Sequence, residues 1–184
     1  LALGALILII VAISTLSVAI GYTSSCEAPT AANAQVEAKP GWMMSILYHC
    51  YGSPEVLRYS EVEIPAAAND EVLIKVHAAS VNPLDWHYMR GSPYFLRLMS
   101  GLGTPDEPRL GVDFAGVITA VGSEVDNFQP GDRVFGGWTG AFSEFVSVPA
   151  NRALTLIPDN VSFEQAAAVP IAAISALQAL RDQG

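Results

Sequence analysis

The segment SVNPLDWHYMRG carries the side chains best suited to hydrogen-bond chemistry, Asn82, Asp85 and Tyr88. The Asn82 amide can donate a hydrogen bond without titrating, and the Tyr88 hydroxyl can donate one or relay a proton. Each has a simpler alternative, since Asn82 can merely fix the Asn-Pro turn and Tyr88 can merely pack. We interpret Asp85 as a cap or an orienting residue rather than a base, at the start of a short helix over residues 86–90 that ends at Gly91.

The spacing of the remaining reactive residues indicates neither a metal site nor a phosphate-binding loop. Three histidines are dispersed, and Cys26 and Cys50 form no Cys-x-x-Cys pair, so a four-cysteine zinc site is excluded. A dinucleotide-binding turn needs a preceding strand, three glycines and a following helix. The segments GLGTPD and GGWTG lack that context. Neither segment is therefore a credible phosphate-binding loop.

The composition is that of a globular, acidic protein. The chain has 184 residues, of which 51% are apolar and 15% charged, and its formal net charge is -9. The only charged residues among residues 1–42 are two glutamates and one lysine, so most of the negative charge belongs to residues 43–184. Because phosphate binding requires a Lys/Arg surface, this balance argues against nucleic acid as a partner.

Residues 1–22 are uncharged and strongly apolar. As a helix they would extend about 33 Å at roughly 1.5 Å per residue, which matches a bilayer core of about 30 Å. We predict an apolar N-terminal helix that anchors a cytoplasmic domain to the membrane, followed by a linker over residues 23–42. Two alternatives are a signal peptide with a cleavage site at residues 32–34, and a cytoplasmic protein whose translation starts at Met43 or Met44.

The stretch GVDFAGVITAVGSEVDNFQPGDRVF, residues 111–135, organises the rest of the chain. It predicts a strand, a turn over residues 129–132 and a second strand, with glycine where the backbone must bend. Further apolar runs predict strands on both sides of it, so the fold class is mainly β. Short strands punctuated by glycine are typical of a curved sheet or a small barrel. Ser162 and Gln165 form a capping box that opens an Ala-rich helix, which Pro170 interrupts.

The pattern G-x-D-x-x-G-V-I-x-x-V-G-x-x-V-x-x-F-x-x-G-D-R-V resembles the N-terminal domain of the medium-chain dehydrogenase/reductase superfamily, in its zinc-independent quinone-oxidoreductase branch. The resemblance covers residues 43–184. It implies a GroES-like, partly open β-barrel whose C-terminal helices lead toward a Rossmann domain missing from this sequence. Zinc-dependent members carry their ligands at the positions of Asn82 and of residues 111–114, GVDF, which supply no zinc ligand set.

The resemblance implies an NADPH-dependent oxidoreductase that reduces quinones or α,β-unsaturated carbonyl compounds, with a homodimer in the full-length protein. Its catalytic residues would be Asn82 and Tyr88, and its cofactor contacts Asn82 and Ser175, the latter from the family motif Pro-x-x-x-x-(Thr/Ser)-Ala. Ser175 can instead be an ordinary small residue in a helix contact. Two alternatives stay open, a membrane-tethered binding module without catalysis and a gene fragment whose last helices expose an apolar face.

Overall fold

The computed structural model describes residues 39–183, which form seven strands and four α-helices. The strands are β1 Trp42–Leu47, β2 Arg58–Glu63, β3 Glu71–Ser80, β4 Asp113–Val121, β5 Arg133–Gly137, β6 Phe145–Pro149 and β7 Leu154–Leu156. The helices are α1 Pro83–Arg90, α2 Arg97–Ser100, α3 Phe163–Ala167 and α4 Pro170–Gln183. Short 3-10 helices lie at Pro54–Val56 and Tyr94–Leu96.

Five of the strands form one antiparallel sheet in the order β6-β3-β4-β5-β7. Apolar residues on one face of β3 pair with apolar residues of its two neighbours, as in Val72 with Val148 and Ile74 with both Val146 and Ile118. Side chains on one face of a strand recur every second residue, so this register places them all in one core. These apolar side chains are completely or almost completely buried.

The β1–β2 hairpin lies against the end of the five-stranded sheet and does not close it into a barrel. The two sheets are joined by a buried hydrogen bond of 2.6 Å between the Ser45 and Ser143 hydroxyls and by backbone bonds from Ile46 N to Phe142 O and from Leu110 N to Ile46 O. The prediction of a mainly β fold built on an open sheet is confirmed, whereas the predicted apolar N-terminal helix lies outside the described residues.

Helix α1 begins three residues earlier than the sequence indicated. Asn82, not Asp85, is its N-cap residue, Pro83 occupies the first helical position and Asp85 is the third residue of the helix. Gly91 ends the helix in the left-handed conformation, with φ of 56°, where a residue without Cβ is favoured. The predicted end of the helix was therefore correct and its start was wrong.

The two C-terminal helices follow the predicted pattern. The capping box between Ser162 and Gln165 is present, and Pro170 separates α3 from α4. Ile174, Leu177 and Leu180 recur on α4 at a spacing of three residues and are 49%, 60% and 75% exposed. The exposed apolar face predicted for these helices is thus found on α4.

The prediction of a membrane-anchored localisation is wrong as far as the structure tests it. Within residues 39–183, no helix is both long enough and apolar enough to cross a bilayer. The predicted anchor over residues 1–22 and most of the predicted linker lie outside the described residues.

Candidate functional site

Asn82 lies between the end of β3 and the start of α1, and its side chain is held by the helix. The Asn82 Oδ1 accepts a hydrogen bond from Leu84 N at 3.1 Å, and the Asn82 backbone N–H donates to Asp85 Oδ2 at 2.8 Å. The amide nitrogen of Asn82 is buried and has no hydrogen-bond partner. A buried donor without a partner costs free energy, so this nitrogen is an unsatisfied donor beside the start of α1.

Two buried carboxylates stand beside this amide. Asp85 and Asp113 are 2% and 1% exposed, and each has one oxygen that is buried without a hydrogen-bond partner. Burial raises the pKa of Asp85, the Asn82 backbone N–H opposes this, and the nearby Asp113 charge raises it further. Burial also raises the pKa of Asp113, against hydrogen bonds from Ile171 and Ser80. The site therefore combines a neutral donor with two carboxyl groups that hold their protons more tightly than usual.

Tyr88 lies on another part of α1 and lines a cavity of about 150 Å³. The cavity is bounded by the end of β1, the 99–112 segment and the turn after β5, through Tyr48, Tyr88, Met99, Ser100, Asp106, Glu107, Arg109, Leu110, Gly111, Val112 and Thr139. Burial raises the pKa of Tyr48 above its ordinary value, so this second tyrosine stays neutral. A small ligand in this cavity would contact Tyr88 and a partly polar lining.

The rim contains one tightly bound ion pair. Arg109 donates to both carboxylate oxygens of Glu107, with two contacts of 2.8 Å. Burial alone would raise the pKa of Glu107, but the hydrogen bonds from Arg109 outweigh it and hold the pKa below the usual value. Because the guanidinium is engaged by Glu107, it is a poor receptor for an anionic ligand.

A larger, mostly apolar cavity of about 520 Å³ lies on the other side of α1. It is lined from the β1–β2 hairpin and α1 by Ile46, Leu57, Arg58, Tyr59, Val81, Asp85, Trp86, Met89, Leu110 and Phe142. Asp85 therefore contributes to this cavity, while Tyr88 contributes to the smaller one.

Two of the three predicted site residues lie close in the chain, but only Tyr88 lines the small cavity. Asn82 and Tyr88 lie on one short segment, the cap and the body of α1. Ser175 is exposed on α4, one helical turn beyond Ile171, whose backbone N–H donates to Asp113 Oδ2 at 3.0 Å. Ser175 thus lies on the helix that is fastened to the site, without lining the small cavity itself.

Sequence reasoning missed the importance of Asp113, whose carboxylate accepts a hydrogen bond from the first turn of α4, 58 residues away. The available signal was an aspartate inside the apolar run that starts β4, where a buried charge needs partners. Among residues 39–183, no group of three or more His, Cys, Asp or Glu side chains is arranged to hold a metal ion.

Comparison with known proteins places this geometry in context. Residues 68–159 match the alcohol dehydrogenase GroES-like domain. The chain is 37% identical over 141 residues to the quinone oxidoreductase of Sus scrofa, covering 75% of this chain and 40% of that protein. It is 34% identical over 173 residues to the 2-methylene-furan-3-one reductase of Solanum lycopersicum, covering 88% of this chain and 43% of that protein.

The fold has solved counterparts as well. The quinone oxidoreductase of Escherichia coli, solved in complex with NADPH, superposes with a TM-score of 0.67 at 30% identity, covering 76% of this chain and 41% of that one. The chain thus spans well under half the length of the relatives it matches. By its matched domain and its relatives, this chain belongs to the alcohol dehydrogenase GroES-like domain family of the medium-chain dehydrogenase/reductase superfamily.

Proposed function

We propose that this chain is the substrate-side part of an oxidoreductase that uses NADPH to reduce quinones or α,β-unsaturated carbonyl compounds without zinc. The names of the relatives support this reaction class, since they include quinone oxidoreductases and a 2-methylene-furan-3-one reductase. All of these substrates present a carbonyl oxygen that gains negative charge during reduction. Their reduction requires a hydrogen-bond donor at that oxygen.

The observation that carries the proposal is the buried, unpartnered amide nitrogen of Asn82. Its own carbonyl oxygen is fixed by the Leu84 N–H, so the direction of the amide is set by the helix. We propose that this N–H donates to a carbonyl oxygen of the substrate or of the cofactor amide. An amide suits the task because it carries no charge and does not titrate.

Tyr88 supplies the second predicted donor. Its ring packs on the cluster of Tyr48, Tyr51, Met89 and Leu110, which fixes the side chain, and it lines the small cavity. We propose that the Tyr88 hydroxyl donates a hydrogen bond to the substrate or passes it a proton. The Glu107–Arg109 ion pair at the rim leaves no unengaged cation there, which favours uncharged substrates.

The residues present fit a nicotinamide cofactor in part. NADPH, when bound, supplies the hydride. The Asn82 amide offers it a buried donor, and the Ser175 hydroxyl is exposed on α4, so both predicted cofactor contacts stay part of the proposal. The exposed apolar residues of α4 provide a surface that the remaining part of a longer protein would cover. A homodimer of the full-length protein stays a prediction.

A chimera tests the proposed function. Residues 43–184 would replace the corresponding segment of the Escherichia coli quinone oxidoreductase, and NADPH oxidation would be followed with a quinone and with a cyclic enone. We expect oxidation that depends on both the chimera and the acceptor. The substitutions Asn82→Ala and Tyr88→Phe should each lower kcat, by about 100-fold where the donor acts on the developing oxyanion.

The matched control is Tyr94→Phe, because Tyr94 is 69% exposed and lines neither of the two cavities. It should leave the rate unchanged. A folded chimera that binds NADPH but oxidises it with neither acceptor would refute the reductase function. Binding of the enone without oxidation would favour a non-catalytic binding module instead.

A further inference from the structure

Helix α4 begins without a capping side chain next to it in sequence. The first N–H groups of an α-helix have no partner within the helix and are usually satisfied by a Ser, Thr, Asp or Asn at the N-cap. The residue before α4 is Val169, whose backbone oxygen accepts the first helical bond from Ala173 N at 2.8 Å. A valine side chain has no acceptor, so the N–H groups of the first turn need one from elsewhere.

Asp113 provides that acceptor from the neighbouring sheet. Its Oδ2 accepts the hydrogen bond from Ile171 N at 3.0 Å, and the Ser80 hydroxyl approaches the same oxygen at 3.4 Å. Asp113 is the first residue of β4 and pairs with Ser80 on one side and Gly137 on the other. The Asp113 carboxylate, on the central strand of the sheet, therefore accepts a first-turn N–H of α4, as the side chain of an N-cap residue does in other helices.

The remainder of α4 has little to hold it in place. Pro170 is buried and Ile171 is half-buried, whereas residues 172–182 are all exposed. A Cβ added to Gly137 would lie 3.6 Å from Asp113 Oδ1 and 4.0 Å from Pro170 Cβ, so the aspartate and the start of the helix share one small space. The described contacts that fasten α4 are thus concentrated at its first turn.

We infer that Asp113 is a positioning residue that caps helix α4 from the sheet and thereby fixes the direction in which the helix leaves the domain. The same residue stands beside Asp85 and the Asn82 segment, so it ties the helix to the candidate site. Only one consequence rests on the proposed function, namely that Ser175 is then held at a fixed place relative to the cofactor. The capping role itself is independent of any activity.

Hydrogen exchange of the 184-residue chain tests the inference. Asp113→Ala should speed exchange of the amides in the first turns of α4 by about tenfold, as expected for the loss of a cap, while the amides of β3 keep their protection. Asp113→Asn retains an oxygen acceptor and should show a much smaller effect. The control is Asp126→Ala, which removes an exposed aspartate of the loop after β4 and should change nothing.

A rescue variant separates capping from general damage to the core. Val169→Ser in the Asp113→Ala background places a capping hydroxyl at the residue before the helix. It should restore most of the lost protection in α4. Unchanged exchange of α4 in a folded Asp113→Ala chain would overturn the inference, and so would an increase that Val169→Ser does not reverse.

A measurement on the unmodified chain covers the case in which Asp113→Ala fails to fold. The Ile171 amide proton should shift with pH as the carboxyl group that it contacts ionises, and in Asp113→Asn this shift should vanish. Asp85 lies near Asp113, so its ionisation can also affect the Ile171 amide shift. The variant Asp85→Asn, in which the pH-dependent shift should persist, is therefore measured in parallel. An Ile171 amide insensitive to pH in the unmodified chain would overturn the inference whatever the proposed reductase assay gives.

Discussion

Asn82 and Asp85 cap helix α1 reciprocally. The Asn82 side-chain oxygen accepts from the first-turn backbone, and the Asp85 carboxylate accepts the Asn82 backbone N–H at 2.8 Å. The arrangement uses the oxygen of the Asn82 amide for structure and leaves its nitrogen buried without a partner. One side chain can therefore serve the fold with one atom and a ligand with another, and the two roles can be separated by substitution.

Substitutions of Asn82 should separate stability from function. Asn82→Ser keeps a capping oxygen and removes the unpartnered amide nitrogen, so we expect a free energy of unfolding close to that of the unmodified chain. Asn82→Ala removes the cap and should lower it by about 1 kcal/mol. Urea unfolding of the chain measures both. If the two variants lose equal stability, the side chain does not cap the helix.

The same pair should behave alike in the reductase assay. Both variants lack the amide nitrogen, so both chimeras should lose activity by a similar factor, about 100-fold. An active Asn82→Ser chimera beside an inactive Asn82→Ala chimera would show that Asn82 matters only through the cap.

Removal of the Tyr88 hydroxyl should affect the reaction more than the fold. The ring is half-buried against the Tyr48 cluster, and Tyr88→Phe keeps that packing. We therefore expect an unfolding free energy within about 0.5 kcal/mol of the unmodified chain and a fall in kcat of the chimera of at least about tenfold. Steady-state kinetics and urea unfolding give the two values. If the loss of unfolding free energy were as large as the rise in activation free energy calculated from kcat, Tyr88 would merely pack.

The pH dependence of stability should carry the signature of Asp113. Burial raises its pKa in the folded chain, so the folded chain binds more protons than the unfolded chain just above the ordinary aspartate pKa of about 3.9. The free energy of unfolding then falls as the pH rises through this window. Asp113→Asn lacks this contribution, so the stability of the unmodified chain relative to that variant should decrease as the pH rises above about 4.

Urea unfolding at several pH values checks this, with Asp126→Asn as the control because Asp126 is exposed. The difference in unfolding free energy between the unmodified chain and Asp126→Asn should be nearly independent of pH. An unmodified chain that gains stability over Asp113→Asn as the pH rises would mean that the hydrogen bond from Ile171 outweighs burial.

The strands could be predicted from the sequence because their signals are local. Alternation at Val72 and Ile74 and the turn at residues 129–132 lie in the chain where they act. The start of α1 was misjudged because Asn82 and Asp85 are both good N-terminal residues, and only the backbone conformation decides which one is the cap. The openness of the sheet was anticipated by the resemblance, while its strand order required long-range pairing.

The candidate site could be predicted only in part for the same reason. Asn82 and Tyr88 are six residues apart, so one short segment carries both. The Asp113–Ile171 hydrogen bond joins residues 58 positions apart, and no local pattern indicates it. The Ser175 assignment came from a motif alone, and a motif does not say which face of a helix meets solvent.

Two glycines near the site should differ in how much the same substitution destabilises the chain. Gly111 lines the small cavity with φ of +98°, and a Cβ there would lie 2.5 Å from Phe142 N and 2.6 Å from its ring. Gly111→Ala should therefore lower the free energy of unfolding by at least about 2 kcal/mol, from backbone strain and the clash together. At Gly137 the added Cβ meets Asp113, Val112 and Pro170 only at ordinary contact distances of 3.6–4.0 Å.

Gly137→Ala should therefore change the free energy of unfolding by less than about 1 kcal/mol, because alanine also restricts the unfolded chain. Thermal or urea unfolding of the two variants, side by side, is the measurement. A tolerated Gly111→Ala would mean that the segment before β4 can shift away from Phe142, and the small cavity would then be adjustable rather than preformed. A loss of unfolding free energy of about 2 kcal/mol or more in Gly137→Ala, as expected for Gly111→Ala, would instead show that the space shared by Asp113 and the start of α4 cannot accept one methyl group. The position of α4 would then depend on close packing at this junction.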